Sequence, residues 1–297
     1  MTRPTVLLTN DDGIDAPGLA SLYEELTGVA DVTVVAPAEN QSGVGRIRNG
    51  TVTVADHPRG YRVTGTPADC VAFGLGGGVD REFDFVVAGV NDGPNIGNYV
   101  VGRSGTVGAC IEAAFLGIPG IAVSAYHSQD YHCYPPEQYA FDRPAVVARQ
   151  LLEQLSSPGI PSELGVLNVN APVDIASPPF RLTRHVIDYD QRVNYDPGDA
   201  SIPDGHHESI PDRDVSRSNQ EGIDVDLVDK TWPHVEGYEN PLGEADQYRD
   251  RYPEASDRRA LIDGAVSVSP LSPSLSPVES PSLSSLRESL LESIDGS

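Results

Sequence analysis

Two adjacent carboxylates, Asp11 and Asp12, follow the first predicted strand in a loop at residues 10–13. Carboxylates this close repel each other unless a positive charge lies between them. A divalent cation is the simplest such charge, and Gly13 lets the backbone turn so that both side chains face one point. An exposed acidic turn is the alternative, but the apolar strand before the loop buries its base and favours a cation site.

Two further polar, glycine-rich loops follow predicted strands, at residues 37–45 and 89–97. The first offers small oxygen donors and is a weak signal alone. The second offers the amide oxygens of Asn91 and Asn95. Ligands of open α/β sheets bind beyond the carboxyl ends of the strands, so we expect all three loops to line one edge.

A predicted helix begins at Ser104-Gly105-Thr106, shortly after the third loop. The positive end of a helix exposes backbone N–H groups and favours phosphate. Ser104 as a helix N-cap only is an equally good interpretation of that residue in isolation.

These loops together predict an oxygen-ligand site for Mg²⁺, Mn²⁺ or Ca²⁺ beside an anion cradle. A metal next to bound phosphate indicates phosphoryl chemistry, with a metal-activated water as the nucleophile. Rival classes lack required residues: there is no G-x-S-x-G elbow, and the sole lysine, Lys230, lies outside any glycine-rich loop. A haloacid-dehalogenase-type nucleophile would stand where Asn10 is, and a receiver domain needs a lysine that is absent.

Short apolar segments alternate with amphipathic ones through the first 170 residues, which predicts an α/β, three-layer, Rossmann-like and mostly parallel sheet. Asp15 is predicted to cap the first helix, and Thr66 and Asp69 to begin the second. The predicted strands are 5–9, 32–36, 85–88, 120–124 and 165–169, and the later helices are 104–116 and 144–155.

The C-terminal part of the chain is less regular. Residues 189–260 are polar and predict an extended arm or inserted loops, and an alternating strand follows at 265–271. We expect residues 1–272 to form one domain and 273–297 a Ser/Pro linker with a short amphipathic helix. That helix either docks on a protein surface or is a frayed tail.

Charge is the dominant global property: 20 basic and 44 acidic residues give a net charge of −24. So negative a surface argues against a nucleic-acid partner, and it suits a protein kept in concentrated salt. No apolar run is long enough for a membrane span, and no signal sequence precedes the first strand, so we expect a cytoplasmic protein. Cys70 and Cys110 are predicted as core residues, without a disulfide framework.

The motifs resemble those of the SurE survival-protein phosphatases, which are metal-dependent 5′-nucleotidases. The resemblance is strong over residues 5–125, and its matching segments are 7–14, 34–37, 41–43, 65–71, 89–97, 104–107 and 117–119. The chain departs from the family pattern after about residue 189. That part of the chain would contribute to base preference and to contacts between subunits.

The resemblance implies one divalent metal ion per subunit, Mg²⁺, Mn²⁺ or Ca²⁺, held by Asp11, Asp12, Ser42 and Asn91. It implies that Asn95, Ser104, Gly105 and Thr106 bind the substrate phosphate. It further implies a homodimer or homotetramer that hydrolyses nucleoside 5′-monophosphates, with 3′-monophosphates and polyphosphate as additional substrates. Asp11 and Asp12 are the candidate catalytic residues, and a non-catalytic nucleotide or metal sensor on the same scaffold is the alternative.

Overall fold

A mixed β-sheet flanked by helices forms the core of the computed structural model, which describes residues 3–129, 131–133, 138–156, 165–187, 191–195, 225–229 and 249–273. Its elements in chain order are β1 (Thr5–Thr9), α1 (Pro17–Thr27), β2 (Asp31–Pro37), β3 (Thr53–His57), β4 (Gly60–Thr64), α2 (Pro67–Phe73), β5 (Phe85–Asp92), α3 (Gly97–Arg103), α4 (Gly105–Phe115), β6 (Gly120–Tyr126), α5 (Asp142–Leu155), β7 (Val166–Pro172), β8 (Phe180–Leu182), β9 (Gln191–Tyr195), β10 (Val225–Asp229), α6 (Asp257–Ile262) and β11 (Val266–Leu271).

Nine strands pair in the order β3-β4-β2-β1-β5-β6-β7-β11-β8, and β9 pairs separately with β10. Six neighbouring strands of the sheet run parallel: β4, β2, β1, β5, β6 and β7. Strand β3 is antiparallel to its neighbour β4, and β11 is antiparallel to its neighbour β7. Helices α1 and α5 pack together, as do α2 and α4, and the buried apolar residues form two large clusters. The predicted mostly parallel α/β architecture is confirmed.

The order of the strands reverses around β1, which lies between β2 and β5. Thr9 at the end of β1 is in register with Ala88 of β5, so the residues that follow both positions reach the same edge. Such a reversal opens a crevice beyond the carboxyl ends of the strands. The loops after β1, β2 and β5 all start at this crevice.

The start of α2 confirms the predicted structural role of Asp69. The hydroxyl of Thr66 accepts a hydrogen bond from the Asp69 N–H, and the Asp69 carboxylate accepts one from the Thr66 N–H at 3.0 Å. This reciprocal capping box satisfies two otherwise unpaired helix donors. Asp69 also accepts from the Asn49 N–H at 3.0 Å, which ties the 45–50 segment to the helix.

Two local predictions are corrected by the structure. The N-cap of α1 is Ala16 rather than Asp15, because the Asp15 carboxylate instead accepts from Arg62 at 2.5 Å. The strand predicted at 85–88 continues to Asp92, with a register shift between Ala88 and Asn91. Asn91 therefore lies on a strand end and not in a free loop.

The structure also contains elements that the sequence pattern did not predict. Helix α3 begins with a glycine and an asparagine, which have low helix propensity, and the β3–β4 hairpin is polar and half-exposed. Regular structure returns within the predicted arm of residues 189–260, where Ser256 caps α6 through a 3.2 Å bond from the Arg259 N–H. The sequence pattern does not indicate α6, because Asp257 and Arg258 are buried there although charged residues usually lie on the surface.

The linker and the amphipathic helix predicted beyond residue 273 lie outside the described residues, as does Lys230. The division into a 1–272 domain and a tail therefore stays a prediction. Among the described residues, no helix has the length and apolar character that a membrane span requires. Cys70 and Cys110 are buried free thiols, as predicted.

Candidate active site

Asp11 lies at the carboxyl end of β1 and is 2% exposed. Thr106, in the first turn of α4, holds it with two hydrogen bonds: the Thr106 N–H donates to Asp11 Oδ2 at 3.0 Å, and the Thr106 hydroxyl donates to Asp11 Oδ1. A carboxylate at a helix N-terminus also gains from the partial positive charge there. The orientation of Asp11 is thus fixed by a helix that follows a different strand.

One glycine lets helix α4 approach the Asp11 carboxylate, and another lets the acidic loop turn. A Cβ atom on Gly105 would lie 2.7 Å from Asp11 Oδ2, closer than real Cβ contacts allow. Gly13 has φ of 107°, a conformation that other residues rarely adopt, so the prediction that it lets the acidic loop turn is confirmed.

Asn91, at the end of β5, faces the same hydroxyl group as Asp11. The Asn91 Oδ1 atom lies 3.3 Å from Thr106 Oγ1, while the Asn91 amide donates to the Gly93 carbonyl at 2.6 Å. A hydroxyl has one proton, and Asp11 already takes it. The Asn91 amide oxygen therefore lies near Asp11, and the long contact with Thr106 leaves it at least one lone pair for another partner.

The electrostatics of the acidic loop favour a cation. Burial raises the pKa of Asp11. The pKa of Asp12 lies well above its ordinary value, first because the carboxyl is shielded from solvent and then because Asp11 and Asp92 lie close. One Asp12 carboxyl oxygen is buried and has no hydrogen-bond partner in the described structure.

This donor set fits a divalent cation such as Mg²⁺ or Mn²⁺. Among the residues with described positions, no three His, Cys, Asp or Glu side chains form a metal-binding group. A cation at this edge would therefore need amide or hydroxyl oxygens besides carboxylates, as the predicted set supplies. The unpaired, buried oxygen of Asp12 is the observation that favours such a ligand.

Ser42 lies in the loop after β2 and is exposed. Its loop is attached to the site, because the Gln41 N–H donates to the Asp11 carbonyl at 2.6 Å. The Ser42 N–H donates to Asn40 Oδ1 at 2.8 Å, which shapes the turn. The hydroxyl of Ser42 as a metal ligand stays a prediction.

Of the residues predicted to bind phosphate, Gly105 and Thr106 lie beside Asp11, and several of the set already have partners. The Ser104 hydroxyl accepts from the Val107 N–H at 3.1 Å and caps α4, which is the N-cap interpretation. The Thr106 donors point to Asp11, as described above. The Asn95 amide donates to Ser124 Oγ at 2.9 Å, which leaves its second N–H and its oxygen for other partners. Phosphate binding by these residues stays a prediction.

Sequence reasoning missed the buried polar side chains of β7. Asn168 and Asn170 are 0% exposed and hydrogen-bond to the backbone of Asn95. Two asparagines spaced by one residue in an otherwise apolar strand were the available signal, because a buried amide needs partners. Asp92, whose charge acts on Asp12, was also not proposed as a site residue.

Comparison with known proteins identifies the family of the chain. The sequence profile of the family described as "Survival protein SurE" matches residues 6–191. The chain belongs to the SurE family. The crystal structure of the SurE protein from Aquifex aeolicus superposes with a TM-score of 0.66 at 30% identity, covering 92% of this chain and 95% of that one.

Relatives of this SurE-family chain include proteins of halophilic archaea. The protein named 5′-nucleotidase SurE of Natronomonas pharaonis is 41% identical over 90% of this chain and 91% of its own length. The protein of the same name from Haloquadratum walsbyi is 36% identical over 98% of each chain. The similarity therefore extends past the family profile, into the C-terminal part of the chain.

Asp12→Asn should separate metal binding from stability. Removing one of the neighbouring carboxylates relieves burial and repulsion, so at neutral pH we expect the metal-free protein to gain on the order of 1 kcal/mol in free energy of unfolding. The upward shift of Tm that Mn²⁺ gives the wild type should be lost. Calorimetry with and without Mn²⁺ measures both effects.

Asp15→Asn is the matched control, because Asp15 is an exposed carboxylate of the same loop that pairs with Arg62. It should retain the full Mn²⁺ shift. An unchanged Mn²⁺ shift in Asp12→Asn would contradict the metal site.

Gly105→Ala tests the contact between α4 and the acidic loop. Alanine favours helices over glycine by about 1 kcal/mol, yet here its methyl group must displace the Asp11 carboxylate. We expect weaker Mn²⁺ binding, measured by titration calorimetry. Gly102→Ala in α3 is the control, since a Cβ there meets nothing within 4 Å. Equal Mn²⁺ affinities in the two variants would disprove the proposed close approach.

Proposed function

We propose that this chain is a metal-dependent phosphomonoesterase that hydrolyses nucleoside 5′-monophosphates to nucleoside and phosphate. The observation that supports it most is the unpaired buried oxygen of Asp12, beside Asp11 and Asn91 at the switch point of the sheet. The relatives named 5′-nucleotidase SurE, at about 40% identity over most of the chain, support the substrate class.

Asp11, Asp12, Ser42 and Asn91 would hold one divalent ion, Mg²⁺, Mn²⁺ or Ca²⁺. Such an ion supplies Lewis-acid polarisation of a phosphate oxygen and lowers the pKa of a coordinated water. Thr106 has a positioning role in this proposal, because its two donors fix the Asp11 carboxylate. The Asp11 carboxylate is thereby oriented before a metal or substrate binds.

The substrate phosphate would lie between Asn95 and the first turn of α4. The second N–H of the Asn95 amide, together with the backbone at Gly105, would bind the phosphoryl oxygens of the substrate and also stabilise the charge that grows on them during the reaction. Ser104 acts through the helix end that it caps. The chain thus supplies neutral donors and an acidic metal site, with no lysine in this region of the sequence.

Asp11 and Asp12 are the two candidates for the group that accepts a proton from the attacking water. Either carboxylate would combine that role with metal ligation, because Thr106 engages both Asp11 oxygens and the unpaired Asp12 oxygen is the one proposed to bind the metal. Because no serine, cysteine or aspartate elbow offers a nucleophile, direct attack by water without a phospho-enzyme is part of the proposal.

Substrate range and assembly extend the proposal. Nucleoside 3′-monophosphates and short polyphosphate are secondary substrates, and the active species is a homodimer or homotetramer. The net charge of −24, together with relatives from halophilic archaea, indicates that activity requires high salt.

Phosphate release from AMP in molar KCl tests the proposal. We expect turnover with Mn²⁺ or Mg²⁺, its loss with EDTA, and recovery when the metal is restored. A parallel panel of nucleoside 3′-monophosphates and polyphosphate measures the substrate range.

Asp12→Asn should lose turnover, while the control Asp15→Asn keeps it, because Asp15 belongs to a surface ion pair. Binding of AMP without any hydrolysis by the wild type would instead support a nucleotide sensor. Hydrolysis of polyphosphate but not AMP would identify an exopolyphosphatase.

A further inference from the structure

Asp257 is a fully buried carboxylate that reaches the predicted phosphate loop from the C-terminal part of the chain. It is the first residue of α6, and its Oδ2 atom accepts a hydrogen bond from the Gly97 N–H at 2.7 Å. Its Oδ1 atom accepts from the Arg258 N–H at 2.8 Å. Residue 257 lies beyond the range 6–191 that the SurE profile matches, so the family motif does not account for this contact.

The backbone of Asn95 is held from β7 by two buried amides. The Asn95 N–H donates to Asn170 Oδ1 at 2.8 Å, and the Asn95 carbonyl accepts from Asn170 Nδ2 at 3.1 Å. The same carbonyl accepts from Asn168 Nδ2 at 2.8 Å. A carbonyl only accepts, so both side-chain amides must present their NH₂ groups to it.

His185 connects these amides with Asp257. Asn168 Nδ2 lies 3.1 Å from His185 Nε2, and Asp257 Oδ2 lies 3.9 Å from the same nitrogen. Burial lowers the pKa of His185, which favours the neutral ring that accepts from Asn168. A neutral ring with its proton on Nδ1 satisfies the amide without a charge.

Ile96, between the two held residues, packs on the same helix as Asp257. It belongs to a buried apolar cluster with Leu261 and Ile262 of α6, and with Tyr126 and Tyr131. Three consecutive residues, 95 to 97, are therefore fixed by three different contacts. Helix α6 supplies two of them, through Asp257 and through its apolar face.

The metal ligands of the predicted site are held by other contacts. Asn91 bonds to Gly93 and lies against Thr106, and Asp11 bonds to Thr106. None of these bonds includes α6. Loosening of residues 95–97 should therefore affect phosphate and leave the metal ligands in place.

We propose that Asp257 is a positioning residue for substrate phosphate, which fixes the segment from Asn95 to Gly97 and so aims the Asn95 amide. The inference rests on the proposed function, and it makes α6 an integral part of the active site.

Asp257→Ala tests this role through the split between KM and kcat. With AMP as substrate, we expect KM to rise by about tenfold or more and kcat to fall by less than about threefold. The Mn²⁺ concentration that gives half of the Tm shift should stay within about twofold of wild type. If Asp257→Ala does not fold, Asp257→Asn replaces it, because it keeps one acceptor oxygen; its KM should rise by about threefold or more.

Asp263→Ala is the matched control for the stability of α6. Asp263 follows the last turn of that helix and pairs with Arg181 at 2.6 Å and Arg259 at 3.1 Å, away from residues 95–97. Its loss should lower Tm and leave KM within about twofold of wild type. If KM rises as much in Asp263→Ala as in Asp257→Ala, the effect comes from general destabilisation of α6, and the inference is overturned.

Binding of inorganic phosphate in the presence of Mg²⁺, measured by titration calorimetry, does not depend on turnover. We expect about tenfold weaker binding in Asp257→Ala than in wild type. Equal phosphate affinity in the two proteins would overturn the inference. A wild type that binds phosphate but hydrolyses no AMP would contradict the proposed function and leave this comparison valid.

Discussion

The repulsion among neighbouring carboxyl groups of Asp11, Asp12 and Asp92 is the constraint on which the site depends. Shielding such groups from water is costly unless hydrogen bonds or a cation compensate for it. Thr106 compensates for Asp11 with two donors, and the glycine before it allows the required approach. Within the part of the chain that the structure describes, one Asp12 oxygen has no hydrogen-bond partner, so the compensation there is incomplete without a ligand.

The parallel sheet makes this concentration of charge possible. Because β1 and β5 are adjacent and in register at Thr9 and Ala88, their polar ends meet at one edge. Helix α4 then turns its first N–H groups toward that edge, and the loop after β2 closes over the Asp11 carbonyl. The apolar clusters on both sides of the sheet stabilise the fold, which must offset the repulsion among the carboxyl groups at this edge.

Residue types and strand ends were sufficient to predict that Asp11, Asp12 and Asn91 meet at one edge of the sheet. Asp11 and Asp12 follow one apolar strand and Asn91 lies at the end of another, and a parallel sheet must bring those ends together. The role of Thr106 was harder to predict, because a helix N-terminus attracts a protein carboxylate as well as a phosphate. The structure shows the carboxylate contact, which depends on how closely α4 approaches β1.

The contacts of Asn168, Asn170 and Asp257 could not be predicted from local pattern. Each side chain is buried and hydrogen-bonds to a backbone group that is distant in sequence. Asp257 and Gly97, for example, are 160 residues apart. Helix α6 is also short and buries two charged residues next to its apolar ones, so periodicity does not reveal it. Such long-range polar pairs become visible only in the folded chain.

A crystal structure of the wild-type protein grown with Mn²⁺ and phased with anomalous data examines the proposed metal site itself. We expect one anomalous peak per subunit at the edge of the sheet, contacted by carboxylate oxygens of Asp11 and Asp12 and by the Asn91 amide oxygen. A fully occupied Mn²⁺ elsewhere, with no peak beside these two aspartates, would contradict it.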